Sequence, residues 1–210
     1  ELGVYSEIVP FNVDIEKLKQ KDVKGIILSG GPNSVYDKFA PHISKDLYEL
    51  GIPILGICYG MQITQFLFEG KISPSLKREY GKSTLTIEKE SPLTKKLPKT
   101  STVWMSHGDH VDELSSEFVL CGTTPSCIAI AKHKVLDIYN LQFHPEVTHT
   151  EFGKQIIENF VLEVCQALPS WDLEDYIDAS IKSIKDKVGD NQVILALSGG
   201  VDSSVAAMLI

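Results

Sequence analysis

Pro53-Ile54-Leu55-Gly56-Ile57-Cys58-Tyr59-Gly60-Met61-Gln62 puts one cysteine at a sharp strand-to-helix corner. Ile54, Leu55 and Ile57 form the short apolar run of a buried parallel strand, and Met61 to Phe68 carries apolar residues at helical spacing. Gly56 and Gly60 flank Cys58 two residues to either side. Small neighbours at those positions let the backbone turn tightly and leave the side chain above the sheet, as in a nucleophile elbow. A helix N-terminus favours the thiolate, which is the reactive form of cysteine. The plain alternative is a cysteine acting as a small buried hydrophobe; the paired glycines weigh against it.

Around this corner the 210 residues have the composition of ordinary globular protein, with 43% hydrophobic and 23% charged side chains. A net charge of -8, and no basic run with interleaved aromatics, argue against a nucleic-acid surface. No apolar stretch approaches a membrane span, and no charged-then-apolar signal segment opens the chain. Glu1-Leu2-Gly3 reads as the tail of a helix and its glycine stop, so an earlier strand and helix are expected before it. Cys58, Cys121, Cys127 and Cys165 include no C-x-x-C pair, so neither a disulfide framework nor zinc is indicated, and a reducing, cytoplasmic setting is the default.

Upstream, Val4 to Phe11 reads as a strand, Asp14 as the cap of a short helix through Lys21, and Gly25 to Leu28 as a second buried strand. The latter ends in Ser29-Gly30-Gly31-Pro32, two glycines free to take positive φ and aim backbone N–H groups at one point, the nest an anion or oxyanion needs. Pro41 to Leu50 reads as a helix stopped by Gly51. The strand–helix–strand alternation predicts an α/β fold: three layers around an open, mostly parallel sheet, with ligands bound beyond the carboxyl ends of the strands.

Downstream, Lys77 to Gly81 reads as a solvated polar loop, Lys82 to Lys89 as an antiparallel strand, and Thr102 to Met105 as a short strand ending in Ser106-His107-Gly108-Asp109. His107 and His110 raise the question of a metal, but no carboxylate or thiolate set visibly completes a site. Val119 to Thr123, Ile128 to Lys132 and Val135 to Phe143 predict an antiparallel extension of the sheet. The last run leads into Gln142-Phe143-His144-Pro145-Glu146, where Pro145 stiffens the link and Glu146 is spaced to orient the imidazole toward Cys58. Cysteine, histidine and carboxylate in that order suit acyl transfer. Phe152 to Cys165 then reads as an amphipathic helix, 166–172 as a linker, and Leu173 to Val188 as a further helix stopped by Gly189. Val193 to Leu197 reads as a buried strand ending in Ser198-Gly199-Gly200-Val201-Asp202-Ser203-Ser204 and a helix. Such a turn is suited to phosphate oxygens but lacks the lysine and spacing of a Walker A loop.

With these residues in view, the chain resembles the glutamine-dependent GMP synthetases, in which a class I (triad-type) glutamine amidotransferase domain is fused to an ATP pyrophosphatase domain. Gly56 to Gln62 and Gln142 to Glu146 carry the amidotransferase half, and Ser198 to Ser203 is similar to a pyrophosphatase loop; Lys77 to Gly81, Trp104 to Asp109 and Val147 to Thr150 add to the match. The resemblance implies a flavodoxin-like class I glutaminase over 1–165, a linker over 166–172, and from 173–210 the start of a second α/β domain of the adenine nucleotide alpha hydrolase-like kind. It implies that Cys58 attacks glutamine, His144 moves the proton and Glu146 orients it. Backbone N–H groups of Gly31 and Tyr59 would hold the oxyanion; Gln62, Ser106, His107 and Asp109 would hold the amino-acid end. Ser198, Gly199, Gly200, Val201, Asp202, Ser203 and Ser204 would bind ATP with Mg2+, for adenylation of xanthosine monophosphate (XMP) and its amination to GMP in purine biosynthesis, by a carbon-nitrogen ligase that is a homodimer when complete. Most of the ATP domain and the XMP-binding part are absent from these residues.

Two other classes of reading stay open. Other class I amidotransferases, such as the glutaminase half of CTP synthetase or of anthranilate synthase, lack a Ser-Gly-Gly-Val-Asp-Ser loop downstream. A glutamine-sensing module with a dead triad would not need Cys58, His144 and Glu146 together.

Overall fold

The computed structural model describes residues 2–171 and 173–209, with the side chains of 75–78 and 173–175 outside the description. Two units are distinguished: Ile8–Ala167, and Glu1–Glu7 together with Leu168–Ile210.

In the first unit, seven strands form one sheet in the order β1-β2-β7-β6-β5-β3-β4. These are β1 (Ile26–Leu28), β2 (Ile54–Ile57), β3 (Lys71–Ile87), β4 (Thr100–Glu113), β5 (Phe118–Thr123), β6 (Ile128–His133) and β7 (Ile138–Leu141). β2 pairs in parallel with β1 and β7, and every other pairing is antiparallel. The sheet is therefore mixed, not mostly parallel. Between Lys71 and Leu141 the strands follow one another through connections too short for a helical crossover, and such neighbours pair antiparallel.

Alternate residues of β2 and β7 serve opposite faces. Ile54 and Ile138 join Leu18 of α1 (Ile15–Gln20), Tyr48, and Met61 and Ile63 of α2 (Tyr59–Leu67) in one apolar cluster. Tyr139 turns the other way, its ring 6.4 Å from that of Phe160. Phe160 lies in a π-helical stretch, Asn159–Val164, that continues α3 (Gly153–Glu158), so the expected single helix changes its winding midway. The buried Asn159 amide at that junction donates to the carbonyls of Leu93 and Lys95 at 2.9 and 2.8 Å.

Asp14 caps α1 as expected, accepting from the Glu16 N–H at 3.0 Å. The helix expected from Pro41 shrinks to a 3-10 helix, Lys45–Leu50, capped by Ser44 and closed by Gly51 at φ 69°. Val4 to Phe11 is not a strand: β1 is the sheet edge and the segment pairs with none of the described strands. The run from Lys77 to Gly81 is not a solvated turn but part of β3, with the Lys77 and Arg78 side chains outside the described residues. The ladder with β4 breaks after Pro74 opposite Asp109 and resumes at Glu79 opposite His107. Ser106 to Asp109 accordingly lies inside a 14-residue strand rather than at its end.

In the second unit, Gly3 at φ 65° has its carbonyl bonded by the Trp171 N–H at 2.8 Å. α4 (Leu173–Val188) ends at Gly189, φ 54°, and α5 (Val201–Leu209) follows the serine loop. Val193 to Leu197 forms no strand; it pairs with no strand among the described residues, and Ile194 is 97% exposed. No described helix is long and apolar enough to cross a membrane.

Candidate active site

β2 delivers the chain to Cys58, whose backbone sits at φ 52°, ψ -105°, between the strand and α2. A non-glycine residue so placed costs on the order of 1–3 kcal/mol, sustained by the packing around it. The Cys58 N–H donates to Leu141 O at 2.7 Å, so β7 continues to hold the corner one residue past the strand. The flanking glycines serve close approach. A Cβ on Gly56 would lie 2.6 Å from Gly60 O, and one on Gly60 would lie 2.2 Å from Leu28 O. Their absent side chains let α2 start directly against β1 and β2.

His144 reaches the same place from the end of β7. Its N–H donates to Trp104 O at 3.0 Å. The Thr150 hydroxyl donates to His144 O at 2.6 Å and accepts from the Trp104 N–H at 3.1 Å. The Trp104 ring also stacks at 4.4 Å on His149, so β4 pins both ends of the loop that carries His144. His144 Nδ1 and Glu146 Oε1 are 2.6 Å apart, while Nε2 is buried with no hydrogen bond of good geometry among the described residues. A Cβ on Gly30 would lie 3.1 Å from His144 Cε1 and 3.5 Å from Cys58 Cβ, so thiol and imidazole flank one glycine. Interaction with the Cys58 thiol, then with Glu146, raises the His144 pKa to about 10 against the opposing effect of burial. Burial pushes the Glu146 carboxyl up, but its bond to His144, a backbone hydrogen bond and the His144 charge together outweigh that and hold it below the ordinary carboxylate value.

The turn Ser29 to Pro32 lies over this corner. Neither Gly30 nor Gly31 takes positive φ, contrary to the expectation; the need is for space. A Cβ on Gly31 would come within 3.8 Å of the Tyr59 side chain. The first bond of α2 runs from the Gln62 N–H to Cys58 O at 3.1 Å, so the Tyr59 N–H precedes the helical ladder. Cys58, His144, Glu146, Gly31 and Tyr59 are thus brought together.

The four residues expected at the amino-acid end divide. The Gln62 amide donates to Asp109 O at 2.7 Å, and the Cys58 thiol donates to Ser106 O at 3.6 Å. Ser106 and Asp109 therefore meet this corner through main-chain carbonyls. The Asp109 carboxylate keeps one buried oxygen, Oδ2, without a hydrogen bond among the described residues. The buried His107 ring lies 3.2 Å from Glu79 of the neighbouring strand β3, with the Asp109 backbone also beside it. Sequence reasoning assigns no role to Trp104 or Thr150, although both lie in motifs it singles out. Their work is done by a backbone carbonyl and a bridging hydroxyl, which leave little trace in residue type.

In the second unit the serine loop is organised by itself. Gly199 has φ 81°, the Ser198 and Ser203 hydroxyls are 3.0 Å apart, and the Ser203 and Ser204 hydroxyls donate to Gly200 O at 3.0 and 2.9 Å.

Residues 1–164 match the family model for class-I glutamine amidotransferases. The chain belongs to this family. Over its whole length this amidotransferase chain is 48% identical to a glutamine-hydrolyzing GMP synthase of Fusobacterium nucleatum and 51% identical to one of Brachyspira hyodysenteriae. It spans 41% of the length of each. Among solved structures, a putative GMP synthase subunit from Thermoplasma acidophilum is similar at 28% identity and TM-score 0.66, over 86% of this chain and 84% of that one. A glutamine amidotransferase of Thermotoga maritima shares the fold at 21% identity and TM-score 0.50, over 89% of this chain and 78% of that one.

Proposed function

We propose that this amidotransferase is the glutamine-hydrolysing part of a GMP synthase, followed by the opening of its ATP-binding domain. The observation that carries the glutaminase reading is the orientation of His144, with Nδ1 held by Glu146 at 2.6 Å and Nε2, beside Cys58, without a hydrogen bond of good geometry among the described residues. The Cys58 sulfur, its proton already held by His144, whose raised pKa keeps the ring protonated, attacks the side-chain carbonyl carbon of glutamine. Backbone N–H groups of Gly31 and Tyr59 stabilise the oxyanion. Collapse breaks the C–N bond, His144 protonates the leaving nitrogen, and ammonia departs. Water, deprotonated by His144, then cleaves the thioester to glutamate and restores the thiol. Glu146 keeps the imidazole in one orientation throughout. Gln62, Ser106 and Asp109 bound the place for the amino-acid end; His107, whose ring is engaged by Glu79, is left out of that set.

The synthetase half of the proposal is supported by GMP synthase relatives that align with the full chain, residues 198–204 included, rather than with the amidotransferase part alone. Residues 198–204 would meet the ATP phosphates through backbone N–H groups at the start of α5. The donor set fits magnesium sparingly: Asp202 is the one carboxylate of the loop, and Mg2+ usually takes one or two carboxylates beside substrate phosphates. Asp202 would hold the ion, which neutralises phosphate charge when bound. The complete enzyme would adenylate XMP and aminate it with the ammonia released at Cys58, as a homodimer.

The test uses the full-length enzyme, wild type and Cys58→Ala, assayed for GMP formation from XMP and Mg-ATP with glutamine or with ammonium. Loss of at least about a thousandfold with glutamine, and an unchanged rate with ammonium, is expected. If neither protein makes GMP from ammonium, the acceptor is not XMP; if Cys58→Ala keeps its glutamine-dependent rate, the thiol is not the nucleophile.

A further inference from the structure

His107 is 5% exposed, yet neither ring nitrogen makes a hydrogen bond of good geometry among the described residues. Nε2 has the Glu79 carboxylate at 3.2 Å as an ion-pair contact, yet neither nitrogen is used at good hydrogen-bond geometry, so the ring can still take a better-placed partner. The ring is surrounded by donors to metals. Glu79 stands directly opposite on β3, with Oε2 at 3.2 Å from Nε2, and Cys127 arrives from the turn between β5 and β6. One ligand atom from each of Glu79, His107 and Cys127 lies within 4.8 Å of the other two. A tetrahedral zinc centre needs its ligand atoms about 3.3–3.8 Å apart, a contraction that side-chain rotation supplies.

We infer that Glu79, His107 and Cys127 form a binding site for a divalent transition metal of the zinc class. An oxygen, a nitrogen and a sulfur donor suit Zn2+ better than Mg2+ or Ca2+, and three protein ligands leave one position for water. The charges balance: a dication against one carboxylate, one thiolate and a neutral imidazole. On binding, the Cys127 S–H bond is replaced by a metal–sulfur bond and the proton leaves to solvent. Bonds that would orient the ligands exist already: the Ser126 hydroxyl donates to Glu79 Oε1 at 2.7 Å, and the Cys127 N–H donates to the Thr124 hydroxyl at 3.3 Å.

The site would tie β3, β4 and the β5–β6 turn at one point. On β4 the neighbouring Ser106 carbonyl accepts from the Cys58 thiol, and the Asp109 carbonyl accepts from Gln62. A metal on His107 therefore steadies the strand that borders the thiol without entering the reaction.

The test titrates the intact protein, stripped with a chelator, with Co2+. Wild type should take up one equivalent with a thiolate-to-cobalt charge-transfer absorption that Zn2+ abolishes. The near-isosteric Cys127→Ser should lose that absorption, Glu79→Gln should weaken Co2+ binding by at least about tenfold, and Cys58→Ser should keep both. On wild type alone, Zn2+ should slow alkylation of Cys127 as read by peptide mass spectrometry, which needs no folded variant. Absence of the absorption in wild type, its loss in Cys58→Ser but not in Cys127→Ser, or Zn2+-independent alkylation of Cys127 overturns the assignment.

Discussion

The Cys58 corner and the Ser198–Ser204 loop have the same plan in sequence, an apolar run, a small-residue turn and a helix, yet they are held in different ways. At Cys58 the strand is paired on both sides, and the helix it starts is packed against its neighbours at glycine contact. At Ser198 the preceding run pairs with no described strand, and the turn is kept by its own hydroxyls. Turn chemistry is local and forms from a few adjacent residues; aiming a side chain requires the sheet. A glycine-rich motif therefore predicts a turn, and its neighbours decide whether that turn is a positioned site.

Alanine at matched glycines is the sharpest way to break this comparison. Gly60→Ala would drive a Cβ to 2.2 Å from Leu28 O and should destabilise the first unit by about 3 kcal/mol, read by denaturant melts. Gly200→Ala meets no atom nearer than Ser198 Oγ at 3.5 Å and should stay within about 0.5 kcal/mol. Equal costs would dissolve the distinction.

Smaller than the Gly60 effect is that of the carboxylate behind His144. Glu146→Gln should lower kcat for glutamine hydrolysis about a hundredfold with KM little changed. It should also alter the pH dependence of stability. The folded-state pKa of His144, about 10, lies above its ordinary 6.5, so the bound proton stabilises the fold. That contribution is complete below pH 6.5 and is lost as pH rises to about 10. In Glu146→Gln the loss should finish at lower pH, as thermal melts across this window would reveal. Smaller again is Thr150→Val, which removes the hydroxyl between Trp104 and His144. About 1–2 kcal/mol of stability should go, with a fall in kcat of about tenfold at constant KM. A change in KM alone would assign Thr150 to substrate binding instead.

The parts of the site legible in sequence are those set by short spacings. The two glycines around Cys58 and the two-residue step from His144 to Glu146 both appear in space as read. The parts that are not legible depend on distant pairing. Val4 to Phe11 and Val193 to Leu197 have the composition of strands but pair with no described strand, and a strand is defined by its neighbours. The polar residues from Lys77 to Gly81 resemble a loop because the partner that makes them a strand, β4, lies beyond an intervening 3-10 turn. The mixed sheet is hidden because direction is set by connection length, which a boundary error of a few residues conceals. His107 shares a motif with Ser106 and Asp109, and its ring is engaged by Glu79 of β3, a cross-strand pairing that residue type does not show.

The thiol of Cys58 belongs to a residue only 3% exposed. A nucleophile so enclosed filters what reaches it by size before chemistry begins. Small electrophiles should react at a rate set by the sulfur, bulky ones at a rate set by how often the turn over Gly30 and Gly31 draws aside. Graded alkylating agents would then serve as a clock for that motion, with the step from size-independent to size-limited labelling giving the width of the entrance.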